Sequence, residues 1–551
     1  MKDNSKFRFD IWGIITLCTI AVYILFLIYP MANLARQAVV DSQTGELTLS
    51  NFIKFFSKSY YFDTLLNSFK VSISATVFSI IIGVPLAYFL TIYKIRGKSM
   101  LNILIILASM SAPFIGAYSW IMLLGRSGVI TGFLASCGIN FPDIYGFGGI
   151  VLVMSLQLFP LVFLYARGAL KNIDNSLIEA ANNLGCSGIK CFIKIVVSLM
   201  MPTLLAAGLL VFMRSFADFG TPMLIGEGYR TFPVVLYTEF ISEVGSDDGF
   251  AAAIAIIAII ITTVVFLIQK YISNKKSFAL NALNPMIEKE PKGMIKPWVY
   301  FFSYSVVGLA VLPQLYVTYT SFKNTAGKIF KPGYSLNSYA TAFGKLGRSI
   351  QNTIVIPLIA FVFIVLLAIM IAYLVVRRRN ALTGTVDILS MIPYIVPGTV
   401  LGIALLTGFN QRPLILSGTI LIMVVALIIR RLPYTIRSSV AILQQVPMSM
   451  EEAAVSLGAS KMKSFFCVTV PMMATGIVAG AILSWVTMIS ELSTAIILYT
   501  GKTKTLTVAV YTEVLRGNYG VAAALSTILT LLTVVSLLVF NKVNRGKDIS
   551  I

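Results

Sequence analysis

Apolar runs of about twenty residues follow one another along the chain with short polar connections between them, and each is long enough to cross a hydrocarbon core roughly 30 Å thick as a helix. The pattern predicts twelve such segments. Six lie near 11–35, 68–93, 101–124, 147–168, 199–222 and 250–271, and six near 297–321, 350–376, 382–407, 414–436, 472–498 and 519–541. The expected fold class is an all-α membrane protein of about 12 transmembrane helices.

Composition agrees: of 551 residues, 57% are hydrophobic and only 12% charged, far too apolar for a soluble domain of this size. The net charge of +21 invites a nucleic-acid reading, but there is no basic soluble domain to perform it. The cations instead collect in particular connections. Lys2, Lys6 and Arg8 precede the first segment; Lys94, Arg96 and Lys98 follow the second; Arg377, Arg378 and Arg379 close the eighth; Lys542, Arg545 and Lys547 end the chain. With twelve spans all of these fall on one side, which the excess of Lys and Arg marks as cytoplasmic, so both termini are expected there. The basic start and apolar run resemble a signal peptide, but the run is too long and no cleavage site follows, so a retained first span is expected. The five cysteines are scattered and imply no disulfide framework. Histidine is absent from the chain, which removes imidazole acid–base chemistry and histidine metal sites.

The chain repeats itself. Ser176-Leu-Ile-Glu179-Ala180-Ala181-Asn-Asn-Leu-Gly185 returns 273 residues later as Ser449-Met-Glu-Glu452-Ala453-Ala454-Val-Ser-Leu-Gly458. Asn67 to Tyr88 parallels Asn352 to Tyr373, Tyr237-Thr-Glu239 parallels Tyr511-Thr-Glu513, and Gly249 parallels Gly520. Six spans separate equivalent positions, an even number, so the halves are expected to run parallel about an axis along the membrane normal. The predicted organisation is a first half over 1–272, a solvated linker over 273–296 rich in Lys, Glu and Pro, and a second half over 297–551.

Each repeated loop, about 171–198 and 444–471, has the spacing of a capping box, Ser176 with Glu179 and Ser449 with Glu452, which predicts a helix start. Alanines extend it, and Gly185 or Gly458 is expected to end it in the left-handed region. Ser187 and Ser460 are candidate caps for a second helix, joined stiffly to the next span through Ile195–Pro202 or Val468–Pro471. A helix as short as the first is unstable alone and fits a lever docked on a partner. One copy reads equally well as an ordinary turn between spans; two at equivalent places do not.

Both loops resemble the EAA motif of ATP-binding-cassette importer permeases: Glu-Ala-Ala, three residues, Gly, nine residues, an aliphatic, then Pro. The second copy matches to Pro471, while the first has Ser198 in place of the proline and Pro202 four residues on. The resemblance covers the whole chain and is nearest to the fused permeases for iron(III), thiamine and aminoethylphosphonate, with polyamine permeases more distant. It implies the type I ABC importer permease architecture and coupling loops formed by Ser176, Glu179, Ala180, Ala181, Gly185, Ser449, Glu452, Ala453, Ala454 and Gly458. It also implies two copies of an ATP-binding subunit, holding the ATP and Mg, on the cytoplasmic side, and an extracytoplasmic solute-binding protein. No P-loop is present: Gly501-Lys502-Thr503 looks like the tail of one, but Ile496 stands where its leading glycine belongs. The chain itself is expected to carry no cofactor, no metal and no catalytic residue.

Ionisable residues inside spans are costly and mark candidate pathway residues. Arg214 and Asp218 lie one turn apart on the fifth predicted span, and Glu491 is the counterpart of Asp218 on the eleventh. Arg214 and Asp218 alone suit an intrahelical ion pair; Glu491 has Thr487 in place of that arginine and is the stronger candidate to meet cargo or a partner's charge. Two acids on one axis favour a cation, and with the resemblance this places iron(III) first and thiamine, 2-aminoethylphosphonate or polyamine behind it. Glu227, Glu239, Glu243, Asp247 and Asp248 make one external loop acidic, and Lys323, Lys328, Lys331, Lys345 and Arg348 make another basic; a solvated face accounts for either, as does a docking surface for a charged binding protein. The small residues Ala474, Gly476, Gly480 and Ala481 suit close helix packing. A secondary transporter of the major facilitator type also has twelve spans in two parallel halves, but it has no need of two coupling loops, and Tyr93-Lys-Ile-Arg-Gly-Lys-Ser99 lacks the acidic residue of that family's signature. A membrane-embedded enzyme would need a convergent catalytic set, which the sequence does not offer.

Overall fold

In a computed structural model the described residues are 10–41, 44–110, 113–140, 142–186, 188–241, 248–275 and 288–543. Apart from a hairpin of Lys323–Ala326 with Ile329–Tyr334, the regular elements among them are helices. This is an all-α membrane protein that departs from twelve simple spans at the ninth, at the tenth and at the third, where the apolar helices are Lys98–Ser109 and Phe114–Ser136 in place of one span over 101–124.

Ten helices are long and apolar enough to cross a membrane. The ninth predicted span is broken: Ala381–Ile395 and Gly398–Gly408 meet at 111° around Val396 and Pro397, where proline cannot donate a backbone hydrogen bond and pushes the residue before it out of the helical region. Val396 is extended, with ψ 125°. Counted as one span the pair brings the total to eleven. The tenth predicted span lies in the helix Ile420–Gln445, which is long enough but holds Arg430, Arg431 and Arg437 within it.

The chain divides into two compact units that cut across the sequence repeat. One comprises Met1–Phe52, Glu243–Ile259 and Ser321–Ile551; the other comprises Ile53–Ser242 and Ile260–Thr320. The first apolar helix thus packs with second-half residues: Trp12 lies 4.4 Å from the Tyr373 ring and 5.0 Å from Phe465, and Asn33 donates to the Thr407 carbonyl at 3.3 Å. The seventh, Ile295–Ser321, packs with first-half residues, where Tyr304 donates to the Arg96 carbonyl at 2.6 Å and Phe302 meets Phe89 edge-on.

Within each unit glycine sets the closest helix approaches. A Cβ on Gly83 would sit 2.9 Å from the Val162 side chain, and one on Gly480 would sit 2.7 Å from the Thr435 backbone, so the small-residue stripe on the eleventh span is a packing surface, as expected. The two units also repeat a clamp. Asn67 donates to the Arg230 carbonyl at 3.1 Å and Ser68 accepts from the Phe232 N–H at 2.8 Å; Asn352 donates to the Lys502 and Lys504 carbonyls at 3.0 Å and Thr353 accepts from the Leu506 N–H at 2.6 Å. Each clamp fixes the extended entry to a short apolar helix, Phe232–Ile241 or Leu506–Leu515. Gly501-Lys502-Thr503 therefore belongs to a turn held by Asn352 and by Thr503 accepting from Thr500.

The linker is mostly outside the described residues, but its end is not merely solvated. Lys289 donates its N–H to the Ile92 carbonyl at 2.7 Å and accepts from Lys94 at 3.1 Å, while Glu288 pairs with Lys98 at 2.6 Å.

Candidate functional site

Both repeated loops form short helices, Asn175–Asn183 and Ser449–Ser456, but neither begins with the expected capping box. In the first, Asp174 is the cap and accepts from the Ser176 N–H at 2.9 Å. Glu179 is bound by the Asn175 side chain at 2.6 Å. In the second, Ser449 is already helical after an uncapped Met448. The neighbouring Asp174 carboxylate outcompetes serine in one loop, and in the other a helical Met448 leaves Ser449 inside the first turn.

The helix ends match the expectation closely. Gly185 and Gly458 have φ of 81° and 90°, and nothing lies within 4 Å of where their Cβ would be. Backbone conformation, not space, requires glycine here. Cys186 donates to the Ala181 carbonyl and Gly185 to Asn182; Ala459 donates to Ala454 and Gly458 to Val455, so each loop closes in a Schellman motif. Ser460 caps the next helix, accepting from Lys463 at 3.2 Å; Ser187 lies outside the described residues. The junctions to the next spans are not straight: Phe192–Val197 and Phe465–Thr469 are π-helical turns at equivalent positions. Pro471 removes the donor that would bond Cys467, yet the first loop widens in the same way with Ser198 in place of that proline.

The closing turn directs a leucine outward in each copy: Leu184 is 88% exposed and Leu457 is 90% exposed. Glu179, Ala180, Glu452 and Ala453 share the accessible surface, while Ala181 is buried. The two exposed leucines stand at equivalent positions of the repeat, each directly before the glycine that closes its loop.

The second loop is anchored differently from the first. Glu451 is buried and accepts from Arg377 at 2.8 Å and from Tyr373 at 3.3 Å; Arg377 also donates to the Val446 carbonyl at 2.7 Å. The positions corresponding to Arg377 and Glu451 in the first half are Ile92 and Ile178. Arg377→Met, which strands a buried carboxylate, is expected to cost about 3–5 kcal/mol, seen as a lower thermal midpoint of the purified chain. Changing both residues to isoleucine, as the first half has them, is expected to restore most of it.

The candidate pathway acids are not presented as free charges. Asp218 accepts from the Gly220 and Thr221 N–H groups at 3.2 and 3.4 Å and so starts the helix Gly220–Ile225. Glu491 accepts from the Thr494 N–H at 3.1 Å before Ala495–Leu498. The two counterparts thus do the same local work. Glu491, its side chain 3% exposed, is further paired with Arg430 at 3.1 Å and with Arg431, and Arg430 donates to Thr494 at 3.0 Å. Gly398 lets the Arg430 guanidinium pass where any Cβ would collide with it. Two cations around one carboxylate leave a net positive cluster, so Glu491 meets two arginine charges of its own chain. Arg214 carries an interaction of its own. No group of three or more metal-ligating side chains occurs among the described residues.

The acidic loop is likewise partly neutralised within the chain: Glu227 and Asp143 both pair with Arg126 at 2.9 Å, and Glu239 accepts from Tyr61 at 3.3 Å. Glu243 and Asp247 lie outside the described residues.

Residues 58–278 and 333–548 each match the family described as binding-protein-dependent transport system inner membrane component. The chain is 27% identical over 537 residues to a ferric transport system permease protein of Actinobacillus pleuropneumoniae, covering 95% of this chain and 77% of that one. It is 27% identical over 504 residues to a putative ferric transport system permease protein of Haemophilus influenzae, covering 89% and 78%. A putative 2-aminoethylphosphonate transport system permease protein of Salmonella typhi is 24% identical over 279 residues, 50% of this chain and 94% of that one. Each matched stretch of the family contains one repeated loop and one of the two capping acids, and begins beyond the first or the seventh apolar helix.

Proposed function

The chain belongs to the family of binding-protein-dependent transport system inner membrane components and is a fused two-half ABC importer permease, and from that premise we propose that it moves iron(III) inward by alternating access, driven by ATP hydrolysed on a separate chain. Two copies of that ATP-binding subunit dock on the loops around Glu179 and Glu452 from the cytoplasm, where both termini also lie, and an extracytoplasmic binding protein delivers the cargo. The observation that carries this reading is the pair of equivalent, rigidly closed loops that expose Leu184 and Leu457. Swinging an inward–outward equilibrium from 1:99 to 99:1 takes about 5.5 kcal/mol of differential binding, and two docked loops give the partner two places to apply it.

Iron(III) comes first because the relatives matched along most of the chain carry it in their names. Aminoethylphosphonate is the second reading, favoured by the net positive cluster of Arg430, Arg431 and Glu491, which suits an anionic group better than a bare cation. In membrane vesicles holding the chain, its ATP-binding subunit and its binding protein, radiolabelled iron(III) is expected to accumulate only when ATP is supplied on the side of the ATPase. Competition by aminoethylphosphonate would reassign the cargo. Accumulation by the chain alone, without ATP, would make it a secondary transporter.

A further inference from the structure

At the end of the second-half core that holds the helix Ser449–Ser456 lies a cavity of about 770 Å³, walled in part by Trp12, Arg378, Arg379, Glu452 and Lys461. Its charges are unevenly used. Arg377 is taken by Glu451 and Arg378 by Asp10 at 3.1 Å, whereas Arg379 and Lys461 have no carboxylate at ion-pair distance among the described residues. Once the two pairs close, two cations face one carboxylate, Glu452. Trp12 is 2% exposed, and its indole N–H has no acceptor, an unusual condition for a buried donor.

The equivalent positions in the first half are charged differently. Lys94, the counterpart of Arg379, is matched by Glu290 at 4.0 Å, and Gly188 stands at the position of Lys461. The cavity sits at the start of the helix Ile11–Val39 and the end of the helix Asn337–Arg377, and basic pockets between spans at the depth of lipid headgroups suit phosphate-bearing heads. We infer that this cavity binds a phosphate group, supplied by the head of an anionic phospholipid, with Arg379 and Lys461 providing charge and Trp12 an N–H donor. Its volume is many times the roughly 30 Å³ of a single water, leaving room for the glycerol beyond the phosphate. The bound lipid would fasten the second coupling loop to the bilayer and leave the first free. The inference requires only that the chain spans a membrane, and is independent of cargo.

The test uses the full chain, purified in neutral detergent and delipidated. Phosphatidylglycerol is expected to bind saturably by native mass spectrometry and raise the thermal midpoint, and phosphatidylcholine is not. Arg379→Ala with Lys461→Ala, both exposed and so not needed for folding, is expected to weaken binding by roughly tenfold or more, the loss of at least one charge-assisted contact. Arg379→Lys with Lys461 retained should keep most of it. If inorganic phosphate alone gives the same variant-sensitive shift, the phosphate site stands and the lipid as its source is overturned. A response to phosphatidylglycerol unchanged in the double variant, or no response to either probe, overturns the site itself.

Discussion

Replacing Glu491 with glutamine is expected to destabilise the chain by about 3–5 kcal/mol, a large share of the 5–15 kcal/mol that holds a typical domain folded. The reason lies in the arithmetic of the cluster. Glu491 is the shared counter-charge of Arg430 and Arg431, and both guanidiniums are largely buried. At an effective dielectric of about 20, opposite charges 4 Å apart attract by about 4 kcal/mol, and the glutamine removes that attraction while leaving two like charges together. The measurement is the thermal midpoint of the purified chain, followed by tryptophan fluorescence. The control is the triple variant Arg430→Met, Arg431→Leu, Glu491→Met, which removes every charge and is expected to melt near the wild type, since apolar replacement of a whole buried ion cluster is often neutral. A wild-type midpoint for Glu491→Gln would mean that the arginines do not depend on it. A folded but transport-dead triple variant would return the cluster to the cargo pathway.

The sequence disclosed the parts of this molecule that rest on one-dimensional pattern. Apolar run length placed most of the spans, the duplicated loop located two short helices at equivalent positions, and the glycines ending them predicted φ values later found at Gly185 and Gly458. What it concealed depends on partners distant in the chain. Asp174 and Asn175 sit beside the expected cap, but nothing in spacing says which oxygen wins a helix terminus. Nothing local separates Glu451 from its neighbour Glu452; what does is Arg377, 74 residues away, which pairs with it. Arg430 and Arg431 were legible, because the rule that singled out Glu491 as costly inside a span applies equally to two arginines in the tenth. Taken together the three residues would have read as a neutralising cluster. The exchange of the first and seventh helices between compact units has no local signal at all, since each helix is apolar on most sides and its choice of neighbour is settled by contacts such as Trp12 on Tyr373.

The double variant Leu184→Asp, Leu457→Asp is expected to reach the membrane folded and to lose at least tenfold in ATP-driven uptake, with the ATP-binding subunit no longer retained on purification. Both leucines are about nine-tenths exposed, so the folded chain gains almost nothing from them and their replacement leaves its thermal midpoint unchanged. On a docked partner each would bury a side chain worth about 1.5–3 kcal/mol, and every 1.4 kcal/mol is tenfold in affinity; aspartate forfeits that and adds a charge to desolvate. Each single variant should keep one engaged loop and an intermediate rate, because the second contact then forms within an already tethered complex. Leu457→Met, apolar and similar in volume, should behave as wild type. Gly458→Val acts on the same lever from inside. The left-handed φ costs a side-chain-bearing residue about 1–2 kcal/mol, so the corner re-forms elsewhere and Leu457 points away. If the aspartate pair transports at the wild-type rate, the exposed corners are not where the motor pushes, and the two-lever account of this permease fails with them.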